Sequence, residues 1–92
     1  MTRKFYSTRK FDKQFKSLDP KVTKQAAKTM ELFLKDPAHP SLHFKKVQGT
    51  GNFYEIRVDL SVRIIIEIII KGKGQINIFY IIGKHEEVLP VE

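Results

Sequence analysis

The chain has no cysteine. That excludes a disulfide framework, a thiolate metal site and a cysteine nucleophile, and it fits a reducing compartment. It also lacks a long hydrophobic run. The longest, around residues 64–70, is interrupted by Glu67 and is far too short to cross a bilayer. The opening MTRKFYSTRKF has no apolar segment of the kind that marks a secretory signal. These absences predict a cytoplasmic protein with no membrane partner. The histidines His39, His43 and His85 follow no metal-ligand spacing, so no metal and no other cofactor is expected. Repeats, low-complexity tracts and linkers are missing as well. A length of 92 residues predicts one domain, residues 1–92, with a modest core.

Negative charge is also scarce. Ten Asp and Glu stand against 17 Lys and Arg, a formal net charge of +7. Such an excess favours polyanions as partners: RNA, DNA or the acidic surface of another protein.

What is present concentrates in the second half, where charged residues sit at alternate positions inside strand-like runs. Tyr54, Ile56 and Val58 alternate with Glu55, Arg57 and Asp59; further on, Ile64, Ile66, Ile68 and Ile70 alternate with Arg63 and Glu67. Successive side chains of a strand point to opposite faces. One sheet face is therefore apolar, and the other carries Glu55, Arg57, Arg63 and Glu67. Ile65 and Ile69 share that charged face, and the last strand has large apolar groups in both alternating sets: Ile76, Ile78, Tyr80 and Ile82 against Phe79 and Ile81. Strands apolar on both sides are usually covered on both sides. A protein partner or the segment after the last strand is expected to cover part of the second face.

The remaining elements follow from local signals. Residues 3–7 predict a short strand. Thr8 is a candidate cap for a helix over 9–17 with Phe11, Phe15 and Leu18 on one stripe. Asp19-Pro20 starts a second helix, an acidic cap followed by proline in the first turn. It runs to about residue 35 with Val22, Ala26, Met30, Phe33 and Leu34 on its buried face, and Asp36-Pro37 stops it. Strands are predicted over 42–47, 53–59, 62–70 and 75–82, with turns at 49–52 and 71–74, and then a tail over 84–92. The order β-α-α-β-β-β-β predicts a two-layer α+β domain, an antiparallel sheet with a helical hairpin packed on one face.

An ordered set of motifs carries a resemblance. Lys45-Lys46-Val47-x-Gly49 is followed by Phe53-Tyr54-Glu55-Ile56-Arg57-Val58, by Val62-Arg63-Ile64-Ile65-Ile66 and by Ile82-Gly83-Lys84-His85. Across nearly its whole length the chain resembles the RelE/ParE toxin superfamily of bacterial toxin–antitoxin systems, most of all its RelE and YafQ branches. The resemblance implies a toxin that is a metal-independent endoribonuclease, cleaves mRNA on the ribosome, inhibits translation, and is silenced by a cognate antitoxin protein wrapped around it. It also implies catalytic positions. His85 matches a YafQ-like histidine after the glycine, Lys46 a RelE-like lysine before the turn, Arg63 the strand arginine before two apolar residues, and Arg57 the polar position of the preceding strand. Two departures stand out. Many members carry a catalytic aromatic a few residues beyond this point, where this chain has Leu89 and Val91, and the other YafQ-type histidines have no match at Lys46 or Arg57. ParE-like members suggest an alternative, a DNA gyrase inhibitor without ribonuclease residues. The missing aromatic suggests another, a degenerate toxin that only binds its antitoxin.

The residue types suit RNA cleavage. RNA supplies its own nucleophile, the 2′-hydroxyl, so the protein needs a base, an acid and cations for the crowded phosphorane. Histidine titrates near neutrality, with an unperturbed pKa of about 6.5, which suits His85 to acid–base work. Arg57 and Arg63 share a face on adjacent strands and can grip phosphate through their planar forks; the alternative is cross-strand ion pairs with Glu55 and Glu67. Lys46 can stabilise the phosphorane, while Lys45 and Lys84 are candidate RNA-docking groups. Glu55 is expected to orient its basic neighbours, because a carboxylate beside two arginines makes a poor base. Tyr54 either stacks on a base or packs against its neighbours.

Overall fold

A computed structural model describes residues 2–91. Met1 and Glu92, the outer limits of the expected domain and tail, lie outside the described residues. The elements are β1 (Thr2–Ser7), α1 (Arg9–Lys16), α2 (Pro20–Lys35), β2 (Lys45–Lys46), β3 (Phe53–Arg57), β4 (Val62–Lys71), β5 (Gly74–Lys84) and α3 (His85–Val88), with a 3-10 turn at Pro40–Leu42. The strands form one five-stranded sheet in the order β1-β5-β4-β3-β2. The class is α+β, as the element order implies. The sheet is mixed rather than antiparallel throughout: β2 to β5 form an antiparallel meander, and β1 pairs parallel with β5. The helical hairpin supplies the crossover that a parallel pair requires.

Local chemistry accounts for the element boundaries. Thr8 caps α1 by accepting a hydrogen bond from the Phe11 N–H, and Asp19 caps α2 by accepting one from the Lys21 N–H. Both helices lay their apolar stripes on one sheet face. Phe11, Ala26 and Phe33 are buried there with Ile56, Val58, Val62, Ile64, Ile66, Phe79 and Ile82, and Phe5, Phe15, Leu18, Val22 and Met30 pack around them. Leu34 departs from the expected stripe and is 40 % exposed. Its carbonyl accepts a hydrogen bond from Arg3 Nη1, which ties the end of α2 to β1.

The expected strand over 42–47 shrinks to Lys45–Lys46. Pro37 and Pro40 hold the preceding chain in turns, and His43 sits in the left-handed region at φ 48°. Strand β3 stops at Arg57 because Asp59 folds a turn: its Oδ1 accepts from the N–H groups of Ser61 and Val62 at 2.8 and 2.7 Å. The β4–β5 hairpin turns at Gly72, where φ is 57°. Strand β5 does not end at Gly83 but continues to Lys84.

A β-bulge resolves the two-sided apolar pattern of β5. Ile65 pairs with Ile81 and Ile66 with Phe79, so Tyr80 is the extra residue. The bulge reverses the alternation: Phe79 joins Ile82 on the helix-covered face, while Tyr80 and Ile81 lie on the other. Residues at the start of α1 secure this point. Thr8 N–H donates to the Phe79 carbonyl and Thr8 Oγ1 to that of Tyr80, and Gln14 Oε1 accepts from the Ile82 N–H at 3.0 Å. Beyond the end of β1, α1 thus takes over hydrogen bonding along the β5 edge. On the second face Val47, Ile65, Ile81 and Val88 form a smaller core flanked by Phe53, Tyr80, Leu89 and Val91. The segment after the last strand does cover part of that face. Gly83 permits this close approach, since a Cβ there would lie 3.2 Å from Glu87 Oε1 and 3.3 Å from Val88 Cγ1.

Candidate functional site

Where α3 leaves the sheet, the second face opens into a cleft of about 340 Å³ lined by His43, Phe44, Lys45, Glu55, Arg57, Arg63 and His85. A second cleft of about 480 Å³ adjoins it, shares Lys45, Glu55 and His85, and adds Lys46, Val47, Gln48, Leu89 and Pro90. Three basic side chains, Lys45, Arg57 and Arg63, line the first cleft with the single carboxylate of Glu55.

The strands set this geometry. Arg57 pairs with Arg63 across β3 and β4, and Lys45 pairs with Glu55 across β2 and β3, so all four project to one face. Arg63 is held by the β3–β4 loop. Its Nη1 donates to the carbonyls of Asp59 and Val62 at 2.7 and 3.1 Å, and its Nη2 to that of Leu60 at 3.3 Å. Asp59, folding the same loop, has its carboxyl lowered below the ordinary range mainly by the Val62 N–H, against the opposing cost of burial, with help from Ser61 and the Arg63 charge. Arg57 Nη1 lies 3.4 Å from His43 Nε2. A guanidinium can only donate, so this contact requires an unprotonated Nε2 on His43. The cross-strand ion pairs of Arg57 and Arg63 with Glu55 and Glu67, the alternative to phosphate contact, do not form. Glu55 pairs instead with Lys45, Nζ to Oε1 at 3.1 Å.

Glu55 is the unusual member of the set. It is 4 % exposed, and its Oε2 is buried with no hydrogen-bond partner; the same holds for Arg57 Nε. A buried polar group left unpaired costs on the order of 1–3 kcal/mol. One unpaired acceptor and one unpaired donor therefore lie buried in two residues of the cleft wall, opposite in kind and both short of a partner.

Of the residues predicted from sequence, the cleft brings together His85, Arg63, Arg57, Lys45 and Glu55. His85 is exposed, as the first residue of α3, and its N–H bonds the Ser61 carbonyl at 2.9 Å. Lys46 lines only the neighbouring cleft, because the register sets it across from Tyr54 and sets Lys45 across from Glu55. Lys84 is exposed and lines neither cleft. Its backbone N–H donates to the Glu87 carboxylate at 2.8 Å, which starts α3. Tyr54 lies on the helix side, its ring stacked on Phe44 at 5.2 Å and 6°. Phe44 stacks in turn on Phe33 at 5.9 Å. Glu67 pairs with Phe53 and Ile78, away from the cleft. Sequence reasoning missed His43 and Phe44. The available signal was the turn chemistry of Pro40 beside them, which brings this loop over the strand carrying Arg57. Among the described residues no group of three or more His, Asp or Glu is arranged to hold a metal ion, and no helix is long and apolar enough to cross a membrane.

The same fold is seen in solved structures of RelE, YafQ and YoeB/ParE toxins. Individually, the chain superposes on YafQ from E. coli with a TM-score of 0.76 at 13% sequence identity, covering 96% of this chain and 99% of that one. For RelE in the RelB–RelE antitoxin–toxin complex from Methanococcus jannaschii the TM-score is 0.68 at 23% identity, with 90% and 93% covered. For a YoeB/ParE toxin from Agrobacterium tumefaciens it is 0.71 at 12%, with 89% and 98% covered. No family model and no curated protein matches the sequence. The chain has the RelE-like toxin fold.

Proposed function

We propose that the protein is the toxin of a toxin–antitoxin pair and acts as a metal-independent endoribonuclease on mRNA at the ribosome, blocking translation in the cytoplasm. The observation that carries this reading is the cleft itself: Lys45, Arg57 and Arg63 converge with His85 around a space large enough for a phosphodiester. Three cations facing one carboxylate favour a polyanion and the extra charge of a phosphorane. His85, exposed at the rim, is suited to carry a proton to the leaving oxygen. Solved neighbours include toxins bound to the antitoxins RelB and DinJ, which supports an antitoxin as this protein's partner.

Expression in cells followed by mapping of mRNA 5′ ends tests the reading. Induction should create new 5′ ends within translated messages and stop growth, and His85→Ala should abolish both while leaving the melting temperature unchanged. Arg63→Ala is a less clean probe, because it also frees three loop carbonyls. Intact messages together with inhibited gyrase supercoiling would instead establish the ParE-type activity. Intact messages with tight antitoxin binding alone would leave a pure binding module.

A further inference from the structure

We infer that a groove beside Arg57 holds the message strand where it leaves the cleft, gripping the backbone phosphate of a nucleotide that is not cleaved. The inference rests on the ribonuclease reading above and adds a substrate subsite to it. The groove, of about 230 Å³, lies between α2 and the 3-10 turn, and its wall includes Gln25, Lys28 and Thr29 of α2, Ser41 of the turn and Arg57 of β3. Two of its lining residues are cations, Lys28 and Arg57, and none is a carboxylate. Strand pairing explains why it adjoins the cleft. β2 pairs only with Tyr54 and Glu55, so the edge of β3 at Arg57 has no neighbouring strand, and Arg57 lines both the cleft and the groove.

The groups in the groove suit a phosphate. Lys28 is exposed and forms no ion pair among the described residues. The Gln25 side-chain amide supplies an N–H donor, since it is the Gln25 backbone carbonyl that accepts from Thr29 Oγ1. Ser41 is turned to His39 instead, with its N–H and its hydroxyl at 3.1 and 2.8 Å from His39 Nδ1. Glu31, the acidic residue of α2, is held by Lys35 at 2.8 Å. Lys21, Lys24 and Lys28 recur at helical spacing on one side of α2 and extend the positive surface along the helix. Arg57 favours the message over ribosomal RNA as the occupant. A strand with its scissile phosphate in the cleft reaches the groove by continuing past a single side chain that lines both. Contacts of this kind go to the backbone, so the subsite holds the strand without reading its bases.

The experiment is single-turnover cleavage on ribosomes programmed with a short message, with the protein concentration varied. The message is made in a series, each member carrying one uncharged methylphosphonate linkage at a different position flanking the natural scissile bond. On the all-natural message Lys28→Glu should raise the half-saturating concentration by about 3- to 30-fold and leave the maximal rate within about twofold of wild type, as loss of uniform binding requires. One neutral linkage should weaken the wild type by a similar factor and cost Lys28→Glu nothing further. Lys13→Glu makes the same charge change at an exposed position of α1 outside the groove, and it should respond to that linkage as the wild type does. Half-saturation of Lys28→Glu at the wild-type concentration would overturn the inference. So would a loss that persists undiminished with every neutral linkage, which would assign the groove to ribosomal RNA. A wild-type protein that cleaves no message removes the ribonuclease reading and the subsite together, whereas wild-type cleavage that Lys28→Glu leaves unaltered removes only the subsite.

Discussion

The two faces of the sheet are built from the same strands and treat polarity in opposite ways. On the helix-covered face Ile56, Ile64, Ile66, Phe79 and Ile82 are buried against Phe11, Ala26 and Phe33. One residue along each strand, the other face places Glu55, Arg57 and Arg63 in a cleft that leaves Glu55 Oε2 and Arg57 Nε without partners. Fully burying an aliphatic side chain contributes on the order of 1.5–3 kcal/mol, so the first face supplies the stability that offsets the unpaired groups of the second. In a chain of 92 residues such a division is needed, because small domains have little stability to spare.

Substitutions on each face can break or sharpen this contrast. The largest effect should come from Ile66→Ala, at a position that is 0 % exposed. It should cost about 2–5 kcal/mol, read as a lowered urea midpoint with an unchanged denaturant slope. A loss below about 1 kcal/mol would mean that the helix-covered face is not the main support.

Next in size is Gly83→Val, opposite Arg63 in the register. Its added carbons would press on Glu87 and Val88, neighbours already 3.2 and 3.3 Å from a single Cβ. A cost of about 1–3 kcal/mol is expected, together with protease sensitivity confined to α3 and loss of any function that needs His85 in place. Unaltered stability would mean that α3 is only loosely docked.

Glu55→Leu should behave unlike either. Removing a buried, half-satisfied carboxylate should leave stability within about 1 kcal/mol of wild type or raise it, even as function is lost. A strong destabilisation would show that the Lys45–Glu55 pair is structural and that the two faces are less different than the geometry indicates.

The smallest effect concerns pH. The Asp59 carboxyl titrates lower in the folded than in the unfolded chain. Its contribution is therefore present above the unfolded value, about 3.9, and is lost as pH falls through the lowered folded value. Asp59→Asn keeps the acceptor Oδ1 but abolishes this linkage. Denaturation curves from pH 6 down to pH 2.5 should show a shallower acid loss for the variant, by no more than about 1 kcal/mol. Identical slopes would remove Asp59 from the acid response.

Much of this molecule follows from its amino-acid order alone. The alternation of Glu55, Arg57 and Arg63 with Ile56, Ile64 and Ile66 names two faces, because a strand's period of two is a property of the backbone. The caps at Thr8 and Asp19 and the stripes of both helices are equally local. So is the position of His85 just past the last strand. Tertiary structure decided the rest. Choosing Lys45 over Lys46 for the cleft needed the pairing of β2 with β3. Bringing His43 and Phe44 to Arg57 needed the fold of the Pro40 turn. Placing Phe79 on the helix side needed a bulge at Tyr80, secured by Thr8 and Gln14, residues distant in sequence from β5. Register, bulges and clefts depend on which distant groups satisfy one another's hydrogen bonds and fill one another's space, and local periodicity carries no record of that choice.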